Sequence, residues 1–272
     1  MNQPLPLTYL FVPGNRPERF AKAMATDADV VIVDLEDAVS PEEKNAARIA
    51  FGQWFAALDQ GRSRVALRIN DAQSEWYRDD VVVAKHSSVP TVMLPKCESA
   101  DQIAALLAEL ADFSGQGVRI IPLVESARGV LAVRSVAQAA GVARIAFGSI
   151  DFSVDMDLPL NAPALDHVSV EIAVASRAAG IASPITGVTT AIDAAVVAAD
   201  MRIALGLGFG AKLCIHPSQI AAVRAAVAPS PPEIAWAQRV LEAAAGSGAV
   251  QVDGQMVDRP VILKARRILE RR

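Results

Sequence analysis

Short runs rich in Val, Ile and Leu alternate along the chain with longer segments rich in Ala, Leu, Arg and Glu. This alternation is typical of βα units, in which each strand of a parallel sheet is followed by a helix. Most of the short runs are almost continuously apolar, as expected for strands whose two faces are both covered. Eight runs are candidate strands: Leu7–Val12, Val30–Asp34, Arg64–Ile69, Thr91–Leu94, Val118–Val124, Arg144–Phe147, Ile181–Ile185 and Ala211–Ile215. Eight such units predict an α/β fold, the (β/α)8 TIM barrel.

A C-terminal segment follows the eighth candidate strand. It contains the proline-rich break Pro229-Ser230-Pro231-Pro232 and a predicted helix around Glu233–Ala244. Four apolar residues then recur at helical spacing: Ile262, Leu263, Ile268 and Leu269. Their spacing predicts a helix face that packs on the barrel or on another subunit. We therefore expect a barrel over residues 1–228 and a helical extension over residues 229–272 that packs on a neighbouring subunit.

Composition narrows the classes of partner. The chain has 272 residues, of which 52% are hydrophobic, enough for a large core. Its 26 basic and 30 acidic residues leave a net charge of -4, and no basic run or helix face is typical of nucleic-acid or anionic-membrane binding. The N-terminus lacks a basic targeting region, and no apolar stretch approaches the ~20 residues that span a bilayer. We expect a cytoplasmic protein that binds small molecules.

Polar residues close several of the apolar runs. They are Asp34-Leu35-Glu36-Asp37 after the second run, Arg68 and Asn70 after the third, Lys96 after the fourth, Glu125 after the fifth and Gly148-Ser149-Ile150-Asp151 after the sixth. Reactive groups of (β/α)8 barrels project from the C-terminal strand ends, so these side chains should ring one mouth of the barrel. Any one of them could instead cap a helix or pair with a neighbour. Together they predict an active site in which Arg68, Lys96, Glu125 and Ser149 contact the substrate.

Glu125 and Asp151 follow adjacent candidate strands, which brings their carboxylates close enough to share an ion. Because an unpaired charge removed from water is costly, converging carboxylates must share protons, meet cations or bind a metal. Two protein oxygens are typical of Mg²⁺, which takes its other ligands from water and substrate. Zinc is disfavoured because the three histidines form no HxxxH pair or cluster with cysteine. The residues predict a barrel enzyme with a metal, for which Mg²⁺ is the best fit, and an anion-binding arginine.

Eight ordered motifs, spread over nearly the whole chain, resemble one known family. They are LFVPGNRPERFAKA, VVIVDLEDAV followed by PEEKNAAR, LRIN, MLPKCES, IPLVESARG, AFGSIDF, CIHPSQI and GQMVDRP. The sequence is similar to the citrate lyase β-subunit-like proteins, a branch of the HpcH/HpaI aldolase superfamily that includes malyl-CoA and citramalyl-CoA lyases. The resemblance implies that Arg68 contacts the substrate's carboxylate or carbonyl group and that Glu125 and Asp151 ligate Mg²⁺. It also implies that Glu36 and Asp37 surround these groups in the catalytic site.

The resemblance adds a distant residue to the site. In the CoA-dependent relatives an aspartate of the GxMxDxP motif reaches the active site of a neighbouring subunit as the acid/base, and Asp258 occupies that position here. Without the family, Asp258 would be interpreted as part of a surface turn. Donation of this residue between chains implies a homotrimer or a multiple of it.

The resemblance implies a lyase that cleaves a 3-hydroxy-3-carboxy acyl-CoA thioester, such as citramalyl-, malyl- or citryl-CoA, to a 2-oxo acid and an acetyl-CoA-type thioester, or catalyses the reverse. One alternative is a metal-dependent aldolase acting on free hydroxy-oxo acids, which is disfavoured because those enzymes have His where this chain has Asp37. Others are the β subunit of a citrate lyase complex with an acyl-carrier protein, and a catalytically silent ligand-binding relative.

The sequence departs from the family pattern at two places. Relatives commonly have FGAED where this chain has FGSID, so Ile150 replaces an acidic residue beside a predicted metal ligand. An aspartate-rich loop that often follows the seventh strand is replaced by Thr186-Gly187-Val188-Thr189-Thr190-Ala191-Ile192-Asp193. The choice between CoA and acyl-carrier thioesters therefore stays open.

Overall fold

The computed structural model describes residues 5–111, 117–245 and 251–270. The chain divides into two compact units, Met1–Val223 and Arg224–Arg272. The second unit thus begins at Arg224, where the sequence predicted a boundary at residue 229. Packing of this unit on a neighbouring subunit stays a prediction.

Eight parallel strands form a closed barrel in sequence order. They are β1 (Thr8–Pro13), β2 (Val30–Asp34), β3 (Val65–Arg68), β4 (Thr91–Leu94), β5 (Arg119–Val124), β6 (Ala146–Phe147), β7 (Ile185–Thr186) and β8 (Ala211–Cys214). β1 pairs with both β2 and β8, which closes the sheet and leaves no free edge. The predicted (β/α)8 barrel is confirmed.

The seventh strand differs most from its prediction. The sequence predicted Ile181–Ile185, whereas β7 comprises Ile185–Thr186. Gly180 adopts a left-handed φ of 73°, and the N–H of Ile181 bonds back to the carbonyl of Ser176, so these residues terminate the preceding helix. Pro184 has no N–H to donate to a neighbouring strand. The first residue of the predicted strand, Ile181, therefore ends the preceding helix, and the strand starts only at Ile185.

Eleven α-helices are present in the described residues. They are α1 (Phe20–Met24), α2 (Lys44–Ala56), α3 (Tyr77–Ser87), α4 (Ala100–Leu110), α5 (Ala127–Gln138), α6 (Ser149–Asp155), α7 (Pro163–Ala178), α8 (Ala194–Gly206), α9 (Gln219–Val227), α10 (Pro231–Ala244) and α11 (Arg259–Glu270). Short 3-10 helices lie at Pro17–Arg19, Pro41–Glu43 and Arg62–Arg64. Among the described helices, none combines the length and the apolar character needed to cross a bilayer.

The barrel interior is filled by side chains. Successive strand residues face opposite sides of the sheet, so each strand contributes alternate residues to this cluster. Its buried members are Tyr9, Ile32, Ala66, Met93, Ile121, Leu123, Ala146, Ile185, Ala211 and Leu213. The barrel is therefore a packed core, and reactive side chains are confined to its ends.

The second unit has a small core of its own. Ala237 and Val240 of α10 and Ala265 of α11 are buried, and surrounding apolar side chains pack against them. Three of the four predicted face residues belong to that surrounding group: Ile262, Ile268 and Leu269. The fourth, Leu263, is 41% exposed. The predicted apolar face thus finds its partner in α10. A hairpin of Gln251–Val252 and Gln255–Met256 connects the two helices.

A buried polar network holds the connection between β2 and α2. The Nζ atom of Lys44 donates hydrogen bonds of 2.7–2.8 Å to the carbonyls of Leu35 and Glu36 and to Oδ1 of Asn70. Asn70 in turn donates through its backbone and side chain to Asp80, which also accepts from Nε of Arg48 at 2.7 Å. The network links α2 and α3 to the loop that carries Glu36.

Replacing Asp80 by alanine is expected to lower the free energy of unfolding by about 3–5 kcal/mol, because it leaves the buried Arg48 guanidinium without its nearest partner. Asp79→Ala is the matched control: Asp79 also pairs with Arg48, at 3.6 Å, but is 72% exposed. That control should cost about 0–1 kcal/mol. Urea unfolding followed by circular dichroism measures both, and equal losses would contradict a structural role for the buried pair.

Candidate active site

An open cavity of about 400 Å³ lies at the C-terminal ends of the barrel strands. Five of the predicted site residues line it: Asp37, Arg68, Glu125, Ser149 and Asp151. Two others, Glu36 and Lys96, contact Arg68 and Glu125 from outside this lining. The barrel fold therefore brings seven of the eight predicted residues together, from strand ends that are far apart in sequence.

Arg68, the last residue of β3, is held in one orientation. Its Nε and Nη2 atoms each donate a hydrogen bond of 2.7 Å to one carboxylate oxygen of Asp34, the residue directly opposite on β2. The guanidinium also lies 4.8 Å from the ring centroid of Phe11 on β1. Burial acts to lower the pKa of Arg68, but Asp34 and the neighbouring carboxylates raise it overall, so the side chain stays a cation.

Asp34 is a site residue whose role the sequence analysis did not predict. Its side chain is buried, and besides Arg68 it accepts hydrogen bonds from the backbone N–H groups of Glu36 and Ala38. It thereby fixes both the arginine and the start of the following loop. The signal in the sequence is an acidic residue that closes the apolar run VVIV, since a carboxylate buried at a strand end needs a partner.

Glu36 lies between two cations. Its Oε1 is 2.6 Å from Nζ of Lys96, and its Oε2 is 2.8 Å from Nη1 of Arg68. The second contact lacks hydrogen-bond geometry, so among the described residues this buried Oε2 has no hydrogen-bond donor. Burial raises the pKa of Glu36 above its ordinary value although Arg68 and Lys96 act to lower it. Asp37 differs: its side chain is 61% exposed and 3.5 Å from Nη1 of Arg68.

Glu125 follows β5 and is buried at the edge of the cavity. Its Oε1 accepts a hydrogen bond of 2.7 Å from the backbone N–H of Lys96. Lys96 has a left-handed φ of 47°, a conformation that costs a non-glycine residue roughly 1–3 kcal/mol. Burial raises the pKa of Glu125 to about 8, because the Lys96 N–H does not offset it and the Glu36 and Asp151 carboxylates add to it.

Gly148 allows the backbone at the start of α6 to approach the side chain of Glu125. A Cβ atom at this position would lie 2.5 Å from Oε2 and 2.6 Å from Cβ of Glu125, closer than side chains tolerate. Asp151 stands three residues later, in the first turn of α6. In the part of the chain that the structure describes, no group of three or more His, Cys, Asp or Glu forms a metal site. Two carboxylates beside an open cavity fit Mg²⁺, which accepts few protein ligands.

Ser149 begins α6 and lines the cavity together with the loop that follows β7. A Cβ atom on Gly187 would lie 2.6 Å from Oγ of Ser149 and 3.0 Å from the carbonyl of Phe147. The close approach therefore requires glycine at position 187. The next residue, Val188, also lines the cavity.

Asp258 lies in the second unit, just before α11. Its Oδ1 accepts a hydrogen bond of 3.1 Å from the N–H of Val261, and its carbonyl accepts one from Ile262. This is the arrangement of a helix N-cap, and the residue is exposed. Its donation to the active site of a neighbouring subunit stays a prediction.

The arrangement is suited to small anions that chelate a metal. A fixed guanidinium and a carboxylate pair line one cavity, so a ligand with a carboxylate next to a carbonyl can meet both. Phe11, Leu123, Val188 and Leu213 supply apolar wall around these charges. Charge that develops on a ligand oxygen would be stabilised most strongly in such a partly desolvated site.

Comparison with known proteins agrees with this geometry. The chain is 33% identical over 283 residues to citrate lyase subunit beta of Leuconostoc mesenteroides subsp. cremoris, over 99% of this chain and 94% of that protein. It is 28% identical over 280 residues to mitochondrial citramalyl-CoA lyase of Homo sapiens, over 94% of this chain and 82% of that protein.

The fold also matches a solved structure. The crystal structure of protein CitE from Mycobacterium tuberculosis in complex with magnesium, acetoacetate and coenzyme A has a TM-score of 0.85 and 36% identity, and the match covers 98% of this chain and 97% of that one. Residues 7–217 match the family model described as HpcH/HpaI aldolase/citrate lyase. This match includes the barrel and every cavity residue named above, and the chain belongs to the HpcH/HpaI aldolase/citrate lyase family.

Proposed function

We propose that this protein is a magnesium-dependent carbon–carbon lyase. Its substrate would be a 3-hydroxy-3-carboxy acyl-CoA thioester of the citramalyl-, malyl- or citryl-CoA kind, cleaved to a 2-oxo acid and an acetyl-CoA-type thioester, or formed in reverse. The observation that carries the proposal is the single cavity that holds Arg68 together with Glu125 and Asp151. The magnesium, acetoacetate and coenzyme A in the related M. tuberculosis structure support the same classes of ligand.

Magnesium held by Glu125 and Asp151 would supply Lewis-acid stabilisation to the carboxylate and carbonyl oxygens of a 2-oxo acid. Arg68 would hold the same oxygens by its permanent charge. Its Nε and Nη2 atoms are occupied by Asp34, whereas Nη1 lies 2.8 Å from Oε2 of Glu36 and 3.5 Å from the exposed Asp37. A substrate oxygen can therefore replace Asp37 near Nη1 without disturbing the Asp34–Arg68 pair that orients the guanidinium.

Cleavage breaks the bond between the carbinol carbon and the α-carbon of the thioester. The carbinol carbon becomes the carbonyl of the 2-oxo acid as its hydroxyl proton passes to water in the open cavity, and the electron pair of the broken bond passes to the α-carbon. Asp258 of a neighbouring subunit would deliver a proton to that carbon, which yields the acetyl-type thioester. In the condensation direction the same carboxylate would remove the proton.

A β subunit of an acyl-carrier-dependent citrate lyase complex is a second candidate. The identity to citrate lyase subunit beta of L. mesenteroides favours it. A free-acid aldolase is supported less well, because Asp37 occupies the position where such enzymes use His. Thioester cleavage by the isolated chain separates these candidates, since the complex subunit requires its carrier protein and the aldolase cleaves free acids.

With Mg²⁺, the purified chain is expected to cleave at least one of citramalyl-, malyl-, methylmalyl- and citryl-CoA. Chelation by EDTA should abolish turnover, and added Mg²⁺ should restore it, because the ion stabilises charge on the oxo-acid oxygens. Release of CoA thioester and oxo acid can be followed by liquid chromatography. Inactivity on all four thioesters would overturn the proposal.

Glu125→Gln is expected to abolish stabilisation by Mg²⁺ and to stabilise the metal-free protein. The pKa of Glu125 is raised from 4.5 to about 8 on folding, so its contribution to stability is present below pH 4.5 and lost as the pH rises to 8. Because Gln does not titrate, the melting temperature of the metal-free variant should exceed that of the parent by a margin that grows as the pH rises from 4.5 to 8.

Thermal melts with EDTA or with Mg²⁺ measure both effects. Glu18→Gln, at a residue whose side chain is 60% exposed, is the matched control and should follow the parent. Undiminished stabilisation by Mg²⁺ in Glu125→Gln would exclude Glu125 as a ligand.

Asp258→Ala and Glu125→Gln should each abolish turnover, and co-assembly of the two variants should restore part of it. If Asp258 acts on a neighbouring chain, a site built from the barrel of one variant and the C-terminal unit of the other is intact. In random 1:1 assemblies, about one quarter of the sites then contain both an intact Glu125 and an intact Asp258. Activity of refolded mixtures tests this, and none would recover if Asp258 acted within its own chain.

A further inference from the structure

A second cavity, of about 560 Å³, adjoins the catalytic cavity within the barrel unit. We call it the side cavity; it lies among the end of β6, the loop after β7 and helices α7 and α8. Four residues line both cavities: Ser149, Ile150, Gly187 and Val188. The two cavities therefore meet at these residues.

The lining of the side cavity contains more apolar than polar residues, although Asp166, Asp200 and Lys212 also belong to it. Leu165, Leu207 and Phe209 form its deeper part, and Ile203 and Leu160 border it with side chains that are 59% and 58% exposed. Exposed apolar side chains that converge on one cavity leave hydrocarbon surface in water, which a nonpolar ligand group would remove. The side cavity thus favours hydrocarbon.

Two buried polar side chains of the side cavity already bond within the protein. Oγ of Thr189 donates to Oδ2 of Asp200 at 2.6 Å. Nζ of Lys212, on β8, donates to the carbonyl of Gly187 at 2.8 Å. Burial lowers the pKa of Lys212 although Asp200 acts to raise it. These contacts fix the loop after β7 in place. The groups that make them already have hydrogen-bond partners and do not require one from a ligand.

Ile150 stands where the two cavities meet. It lies between Ser149 and Asp151 in the first turn of α6, so its side chain is next to the predicted metal ligand. A hydrocarbon side chain at this point makes no hydrogen bond to a ligand and imposes no charge on it. A substituent on the carbonyl carbon of a chelated oxo acid would have to pass it.

From this juxtaposition we infer that the side cavity binds the hydrocarbon substituent of the 2-oxo acid, and that aliphatic 2-oxo acids longer than pyruvate are the preferred partners. The inference rests on the proposed function for the position of the oxo acid. Each methylene that enters an apolar site contributes about fourfold in affinity. 2-Oxopentanoate, with two methylenes more than pyruvate, should bind about 15-fold more tightly.

Calorimetry with Mg²⁺ measures the affinities of glyoxylate, pyruvate, 2-oxobutanoate and 2-oxopentanoate without requiring turnover. Condensation of the same acids with acetyl-CoA gives the corresponding series of kcat/KM values. Both series should rise with chain length. Absence of condensation with a rising series of affinities would overturn the lyase proposal alone, whereas turnover with equal or falling affinities would overturn the inference alone.

Ile203→Trp tests the location, because the indole fills the side cavity from α8. Its expected effect is to reduce the ratio of 2-oxopentanoate to pyruvate affinities from about 15 to about one. Arg202→Trp adds the same bulk at a neighbouring exposed position that does not line the cavity, and the ratio should persist there. An unchanged ratio in Ile203→Trp would overturn the assignment.

The same experiment can identify two other occupants of the side cavity. Tighter binding of 2-oxoglutarate than of 2-oxopentanoate would assign the cavity to a carboxylate near Lys212 and overturn the inference. A change in molar mass of Ile203→Trp by light scattering, with all oxo acids weakened equally, would assign it to a second copy of the chain and also overturn it. If Ile203→Trp keeps the molar mass of the parent and its ratio of 2-oxopentanoate to pyruvate affinities falls to about one, the result supports the inference.

Discussion

Burial of carboxylates at the mouth of the barrel is the constraint on which the site depends. Asp34, Glu36 and Glu125 are each less than a twentieth exposed, yet they lie within one region of the molecule. Like charges removed from water repel and lose hydration, so each requires a cation or an N–H group. Arg68 and Lys96 meet this need for the first two. Among the described residues, only a backbone N–H donates to Glu125, so burial raises the pKa of its carboxyl.

The scaffold around the mouth is organised to keep this arrangement rigid. Arg68 and Asp34 face each other across two paired strands, and the buried lysine Lys44 ties down the loop that carries Glu36. The strained backbone of Lys96 contributes to this arrangement, because its left-handed conformation directs an N–H toward Glu125. A carboxylate that keeps one oxygen fixed and lies beside an open cavity is well prepared to exchange a proton for a cation.

The charges of the catalytic cavity lie at the ends of β2 to β6, whereas the walls of the side cavity come largely from the loop after β7 and from α7 and α8. If the side cavity binds the substituent of the oxo acid as inferred, this separation would allow metal and anion binding to be retained while the side cavity changes. The two departures from the family pattern, Ile150 and the loop that begins at Thr186, both line the side cavity.

The sequence by itself determined the barrel and the location of the site. Continuous short apolar runs such as Val30–Asp34 and Thr91–Leu94 favour strands covered on both faces, and in a (β/α)8 barrel the polar residues after such runs gather at one end. The tertiary structure alone decided the pairing of Asp34 with Arg68, the left-handed turn at Lys96 and the cavity beside Ile150. Each of these depends on strand register or on contacts between segments far apart in the chain. The local sequence pattern does not determine which distant side chains come into contact.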